Sequence, residues 1–125
     1  MQYILLVYDT TSRPEWNNLP DPEKRGLSDE TYVWCAELEK TGHLRSVNRL
    51  DLPATATTVR GSAVSVTDGP FTETKEMLGG YVVVECRDKA EAVEIAKTFP
   101  GLRYNFAVEV REVLSEPVER KRWTS

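Results

Sequence analysis

Met1-Gln2-Tyr3-Ile4-Leu5-Leu6-Val7-Tyr8 is apolar in both of its alternating sets, with Tyr3, Leu5 and Val7 on one side and Ile4, Leu6 and Tyr8 on the other. A strand with one wet face alternates apolar with polar residues. A strand apolar on both faces reads as central and buried on both. Any fold assigned to the chain must therefore place this segment in the middle of a sheet and cover the sheet on two sides.

The segments that follow supply one of the two covers. Asp9 to Pro22 is polar and rich in proline and asparagine, which predicts a loop with a short turn near Trp16. Ser28 is placed to cap a helix, with Asp29 and Glu30 at the positive end of its dipole. Leu27 and Tyr32 stand at the spacing of a hydrophobic staple. Tyr32, Cys35, Ala36 and Leu38 offer an apolar stripe, and Gly42 supplies the left-handed residue that ends the helix. His43 to Leu50 is a strand candidate without clean alternation. After Pro53, the runs Thr57 to Arg60 and Ala63 to Thr67 are joined by Gly61-Ser62, a hairpin signal. Gly80 to Cys86 is a strand. Asp88, with Glu91 three residues on, opens a second helix as a capping box. Its apolar face is Ala92, Ile95, Ala96 and Phe99, and Pro100-Gly101 stops it. Tyr104 to Val113 closes the series, with Phe106, Val108 and Val110 inward and Glu109 and Arg111 outward.

The order β, α, β, hairpin, β, α, β is a split βαβ pattern with one added hairpin. It predicts an α+β, ferredoxin-like protomer. Two helices cover one face of such a sheet, yet the first strand is apolar on both. The second face is expected to be buried against a second copy, as a homodimer with sheet on sheet. Loops or the C-terminal residues are the alternative cover.

Composition narrows the function classes. The chain has 125 residues, 40% hydrophobic and 29% charged, with a formal net charge of −4. That suits one globular domain, read as residues 1–115 with a tail at 116–125. Acidic and basic residues are interspersed, and no basic stripe is present to neutralise phosphates, so nucleic acid is not an expected partner. Arg120-Lys121-Arg122 reads as a solvated basic run. Cys35 and Cys86 stand far apart with no CxxC pair, and one histidine with scattered acids makes a poor metal shell. No cofactor or metal is expected. No stretch reaches membrane-spanning length, and a reducing cytoplasm is the default location.

The chemistry-bearing stretch is Val66 to Tyr81. It leaves a strand, turns at Asp68-Gly69-Pro70, carries Phe71 and the charges Glu73, Lys75 and Glu76, and reaches Gly79-Gly80 before Tyr81. Asp68 is read either as the acceptor of an Asx-type turn or as a general acid–base at a pocket rim. Pro70 pushes Gly69 out of the α region. Phe71 is an apolar anchor. Gly79 and Gly80 allow close approach of a ligand or of another strand. Arg60, at a strand end, either holds an anionic ligand or pairs with Asp68 or Glu73. Glu73, Lys75 and Glu76 either line a polar pocket with Tyr81 or form a solvated ion-pair face. Trp16 and Trp34 read as packing residues.

Asp68-Gly69-Pro70-Phe71, followed by Glu73, Lys75-Glu76 and Leu78-Gly79-Gly80, resembles the signature of the YCII-related domain family, in its DGPF subgroup. Leu52 to Arg60, Tyr3 to Tyr8 and Val108 to Arg111 are similar to the matching segments of that family. The resemblance implies a dimeric α/β-barrel assembly of ferredoxin-like protomers. It implies a superfamily that holds isomerases, oxygenases and dehalogenating enzymes, and an active site built on His and Asp in the wider branch. It also implies an association with extracytoplasmic-function sigma factors, the alternative to a small-molecule pocket beside the DGPF loop with lyase, isomerase or hydrolase-type activity. The family's helix histidine falls near Thr31 in this chain. The His–Asp pairing therefore does not carry over, and His43, just past Gly42, reads as a helix-end residue.

Overall fold

The computed structural model describes residues 1–10, 18–72 and 76–114. Trp16, Glu73, Lys75 and the basic run at Arg120 lie outside those residues. Among these described residues, six strands and two helices run in the order β1 (Gln2–Thr10), α1 (Asp21–Lys40), β2 (Leu44–Arg49), β3 (Thr57–Arg60), β4 (Ser65–Asp68), β5 (Glu76–Glu85), α2 (Lys89–Lys97) and β6 (Ala107–Val113). Short 3-10 turns occupy Pro53–Thr55 and Pro100–Tyr104. Four strands form one sheet in the order β2-β5-β1-β6, with every neighbouring pair antiparallel. β1 lies between β5 and β6, and β5 between β2 and β1, which is the split βαβ arrangement of the ferredoxin-like fold. β3 and β4 form a separate two-stranded ribbon.

The register assigns each residue to a face. Leu5 stands beside Val82 and Val110, and Tyr3 beside Val84. On this side Tyr3, Leu5, Val82, Val84, Cys86, Leu38, Ala92 and Ala96 make one buried cluster, so both helices pack here. Leu5 and Val84 are fully buried, and each such side chain stabilises the fold by roughly 1.5–3 kcal/mol. The opposite face has no helix on it among the described residues. There Ile4, Leu6 and Tyr8 of β1 stand beside Val83, Tyr81 and Leu78 of β5.

Several boundaries differ from the sequence reading. The first helix begins at Asp21 rather than Ser28, with Pro20 at the N-cap and Pro22 in the first turn. Proline is tolerated there because first-turn amides have no helical partner, and Asp21 and Glu23 suit the positive dipole end. Ser28 is therefore an exposed interior residue, and the Leu27–Tyr32 staple does not form. The inward stripe is Leu27, Thr31, Trp34 and Leu38, while Tyr32 is 79% exposed. The far end is as expected. Gly42 sits at φ +82°, and the amides of Gly42 and His43 donate to the carbonyls of Glu39 and Leu38 in a Schellman closure.

The ribbon turns through four residues, Gly61 to Val64, since Arg60 pairs with Ser65. Gly61 and Val64 both take positive φ, at +80° and +51°. That is a strained setting for β-branched Val64. The second helix is capped by Asp88, whose Oδ1 accepts from the Glu91 amide at 2.9 Å. The return bond goes to Arg87 N, at 3.1 Å from Glu91 Oε1, one residue before the expected partner. β6 starts at Ala107 because a 3-10 turn ending in left-handed Asn105 (φ 67°) uses the residues before it.

Candidate functional site

Gly79 and Gly80 lie inside β5 and not ahead of it. Gly79 is the extra residue of a bulge, since Val7 pairs with Gly80 and Tyr8 with Leu78. Its carbonyl accepts from Leu50 N at 2.9 Å. Gly80 is buried where β2 comes closest, and a Cβ there would lie 3.0 Å from the Asn48 carbonyl oxygen. Of the two readings of the glycine pair, close approach to another strand is the one the backbone displays.

That approach sets Asn48 directly opposite Tyr81 on the helix-free face. Asn48 Nδ2 donates to the Tyr81 hydroxyl at 2.8 Å. Leu6 flanks Tyr81 on the other side, and Glu109 lies beyond it on β6. The next row across this face is Ser46, Val83, Ile4 and Arg111. The face thus has an apolar centre on β5 and β1, a neutral polar border on β2 and a charged border on β6. Ile4, Leu6, Tyr8, Tyr81 and Val83 are each half-buried in the single chain.

The DGPF turn belongs to the ribbon. Asp68 pairs with Thr57 at one end of the β3–β4 ladder, and Arg60 pairs with Ser65 at the other. The ladder does not bring Asp68 and Arg60 together. No Asx turn forms at Asp68, since Pro70, two residues on, has no amide to donate. Instead Gly69, at φ +105°, donates its amide to the Ala56 carbonyl at 2.6 Å. Its own carbonyl accepts from Thr58 Oγ1 at 2.7 Å. The Asp68 carboxylate is exposed and makes no hydrogen bond or ion pair among the described residues. Phe71 is no buried anchor: it is 65% exposed, with the Arg60 guanidinium 5.1 Å above its ring. Glu76 is exposed at the start of β5, opposite Thr10. Glu73 and Lys75 lie outside the described residues. Of the sequence candidates among the described residues, Tyr81 lies at the centre of the open sheet face and Glu76 at its end by register, and the partner of Tyr81, Asn48, was missed. The signal for Asn48 was weak: an Asn inside a strand is unusual, but the Leu44, Val47, Leu50 pattern gave no register to assign its face.

Several other polar and ionisable side chains are tied into structure. His43 Nδ1 lies 2.7 Å from Thr41 Oγ1, and its Nε2 lies 3.5 Å from Glu91. Thr31, where the family histidine would fall, donates its hydroxyl to the Leu27 carbonyl at 2.8 Å. Trp34 donates to Thr98 Oγ1 at 2.7 Å and meets Phe99 edge-on at 5.4 Å. Burial pushes the thiols of Cys86 and Cys35 up, away from the reactive thiolate. Arg103 forks onto Glu30 at 2.5 and 2.7 Å and holds that carboxyl below its usual value. The terminal amine of Met1 bonds Glu85 and lowers its carboxyl in the same way. A recess of about 430 Å³ at the β6 edge is lined by Tyr3, Lys89, Val110, Arg111, Glu112 and Leu114. Among the described residues, no three His, Cys, Asp or Glu side chains could hold a metal ion together. Among the described residues, no helix is long and apolar enough to cross a membrane.

The sheet order, the bulged β5 and the two helices on one side define an α+β protein of ferredoxin-like type. The chain belongs to the YCII-related domain family, whose model matches residues 1–117. It is 35% identical over 100 residues to an uncharacterized protein of Rhizobium meliloti (strain 1021), across 78% of both chains. Among solved structures it is similar to 5-chloro-2-hydroxyhydroquinone dehydrochlorinase from Burkholderia phenoliruptrix AC1100, in complex with 2,5-dihydroxybenzoquinone. That likeness has a TM-score of 0.54 at 12% identity and covers 91% of this chain and 94% of the other. At that identity the likeness is one of fold.

Proposed function

We propose that this chain works as a homodimer that closes two open sheet faces around a small-molecule pocket. The observation that carries the reading is the open face itself, an apolar floor of Ile4, Leu6 and Val83 holding the hydrogen-bonded pair Tyr81–Asn48. A four-stranded face of this kind measures roughly 20 Å by 20 Å, a scale suited to one side of a specific interface. Its charged border also suits a twofold pairing. Glu109 and Arg111 lie on one strand and on one face, so a twofold axis passing between them would set each against its opposite on the other copy. The fold is shared with an enzyme that holds a small quinone, which supports a pocket of that size class.

The activity we infer is of lyase, isomerase or hydrolase type. The Tyr81 hydroxyl supplies a proton-transfer group inside the pocket, Asp68 is the acid–base candidate at the rim, and Arg60, Glu73, Lys75 and Glu76 are the further ligand-binding candidates. We further read the chain as a cytoplasmic member of the DGPF subgroup, with its domain at residues 1–115. Native mass spectrometry of the purified protein tests the proposal. A dimer that releases a small metabolite on denaturation is expected. A dimer whose sheet interface is dry and closed, with no cavity in its crystal structure and no retained molecule, would overturn it.

A further inference from the structure

The hydrogen bond between Asn48 and Tyr81 leaves a defined remainder. A phenol has one proton and two lone pairs, and a primary amide has two protons on nitrogen and two lone pairs on oxygen. Asn48 Nδ2 spends one proton on the Tyr81 oxygen at 2.8 Å. The Tyr81 proton and the Asn48 Oδ1 lone pairs find no partner among the described residues. Accepting a bond makes the Tyr81 hydroxyl a better donor. The pair therefore presents two donors, the Tyr81 proton and the second Nδ2 proton, beside the acceptor lone pairs of Asn48 Oδ1. Turning the amide over keeps this count: Tyr81 would then donate to the amide oxygen, leaving its own oxygen to accept and the amide nitrogen to donate. The neighbouring side chains on the same face are Leu6, Val83, Ile4 and Ser46, all uncharged. The closest charge across the row is Glu109, two strands away, or roughly 10 Å.

We infer that the Tyr81–Asn48 pair recognises an uncharged ligand bearing a carbonyl and a hydroxyl on adjacent carbons, its apolar remainder lying on Leu6 and Val83. The carbonyl accepts from the Tyr81 hydroxyl, and the ligand hydroxyl donates to Asn48 Oδ1. A molecule with the carbonyl alone leaves the Asn48 acceptor unmatched once a second copy covers the face. A site built for hydrogen bonds rejects such an analogue more strongly than an apolar pocket rejects a missing methylene. An anion finds no cationic partner beside the pair and is disfavoured by desolvation.

This inference rests on the pocket reading above, and its test separates the two. Amide shifts of β2 and β5 are followed by NMR as the full chain is titrated with 2-hydroxyacetophenone, which has the vicinal pair, and with acetophenone, which has only the carbonyl. The wild-type protein is expected to bind the first about tenfold more tightly, the worth of one well-made hydrogen bond. In Tyr81→Phe, which keeps the ring and its packing, the preference is expected to fall within about twofold. Asn48→Ala is a second, independent variant with the same expectation. Binding at this face with no preference, or with a preference that survives both variants, overturns the inference and leaves the pocket standing. Failure of both probes to shift these amides at millimolar concentration also overturns it. A metabolite retained in native mass spectrometry would then show that the pocket exists for another ligand class.

Discussion

Gly80→Ala is the most informative single substitution, because it acts on the strand contact that builds the Tyr81–Asn48 pair. The new Cβ would meet the Asn48 carbonyl oxygen at 3.0 Å and Arg49 Cα at 3.5 Å. Both are backbone atoms, so no rotamer change relieves the contact, and β2 must move by a few tenths of an ångström. Overpacking of this kind costs about 1–3 kcal/mol. Replacing a strand glycine returns about 0.5–1 kcal/mol of backbone entropy. The net expectation is a loss of roughly 1 kcal/mol, with a displaced Asn48 side-chain amide signal. Gly79→Ala is the matched control. Its Cβ would lie 3.8 Å from Asp9 Oδ2 and from Val7 O, which is ordinary contact, and its φ is not positive. It should be neutral or slightly stabilising. Urea unfolding at one fixed protein concentration reads both, since any dimer couples stability to concentration. Equal stability of the two variants would refute the claim that Gly80 is required by the approach of β2.

Asp88→Ala removes the acceptor of the Glu91 amide and should cost about 1 kcal/mol in urea unfolding, with Asp88→Asn close to wild type. Val64→Asn should raise stability by roughly 0.5–1 kcal/mol in the same assay, since asparagine tolerates a φ of +51° that a β-branched residue resists. Glu30 and Glu85 both have their carboxyls held below the usual value of 4.5 by a cationic partner, so they stabilise the fold above that value. That contribution is lost as pH falls through their lowered folded values. Glu30→Gln should therefore lower stability by a small amount at neutral pH, as suits an exposed pair, and converge on the wild type as pH falls well below about 4.5.

The fold was legible where the periodicity was strong. The two-sided apolar pattern of Tyr3 to Tyr8 placed β1 in the centre of the sheet, and Ala92, Ile95, Ala96 and Phe99 gave the buried face of α2. The first helix was misread because Ser28 looks like a cap, whereas the chain uses Pro20 and Pro22, whose missing amides cost nothing in a first turn. The hairpin was read as a two-residue turn because Gly61-Ser62 is a strong local signal, and the positive φ of Val64 had none. The site was legible only in part. Tyr81 could be named from its place after Gly79-Gly80. Its partner Asn48 depends on the β2–β5 register, including the irregularity between Leu44 and Ser46, which no local pattern encodes.

Closure of the open sheet face by a second copy is tested most directly by sedimentation equilibrium of the wild type and of Leu6→Asp. Leu6 lies at the centre of that face, beside Tyr81 and Glu109, and away from the helix-side core. The wild type is predicted to sediment at twice the 14.2 kDa chain mass at micromolar concentration, and Leu6→Asp as a folded monomer with unchanged far-ultraviolet circular dichroism. A wild type that stays at the single-chain mass, or a Leu6→Asp variant that dimerises as tightly as wild type, would contradict the claim that this face is closed by a second copy.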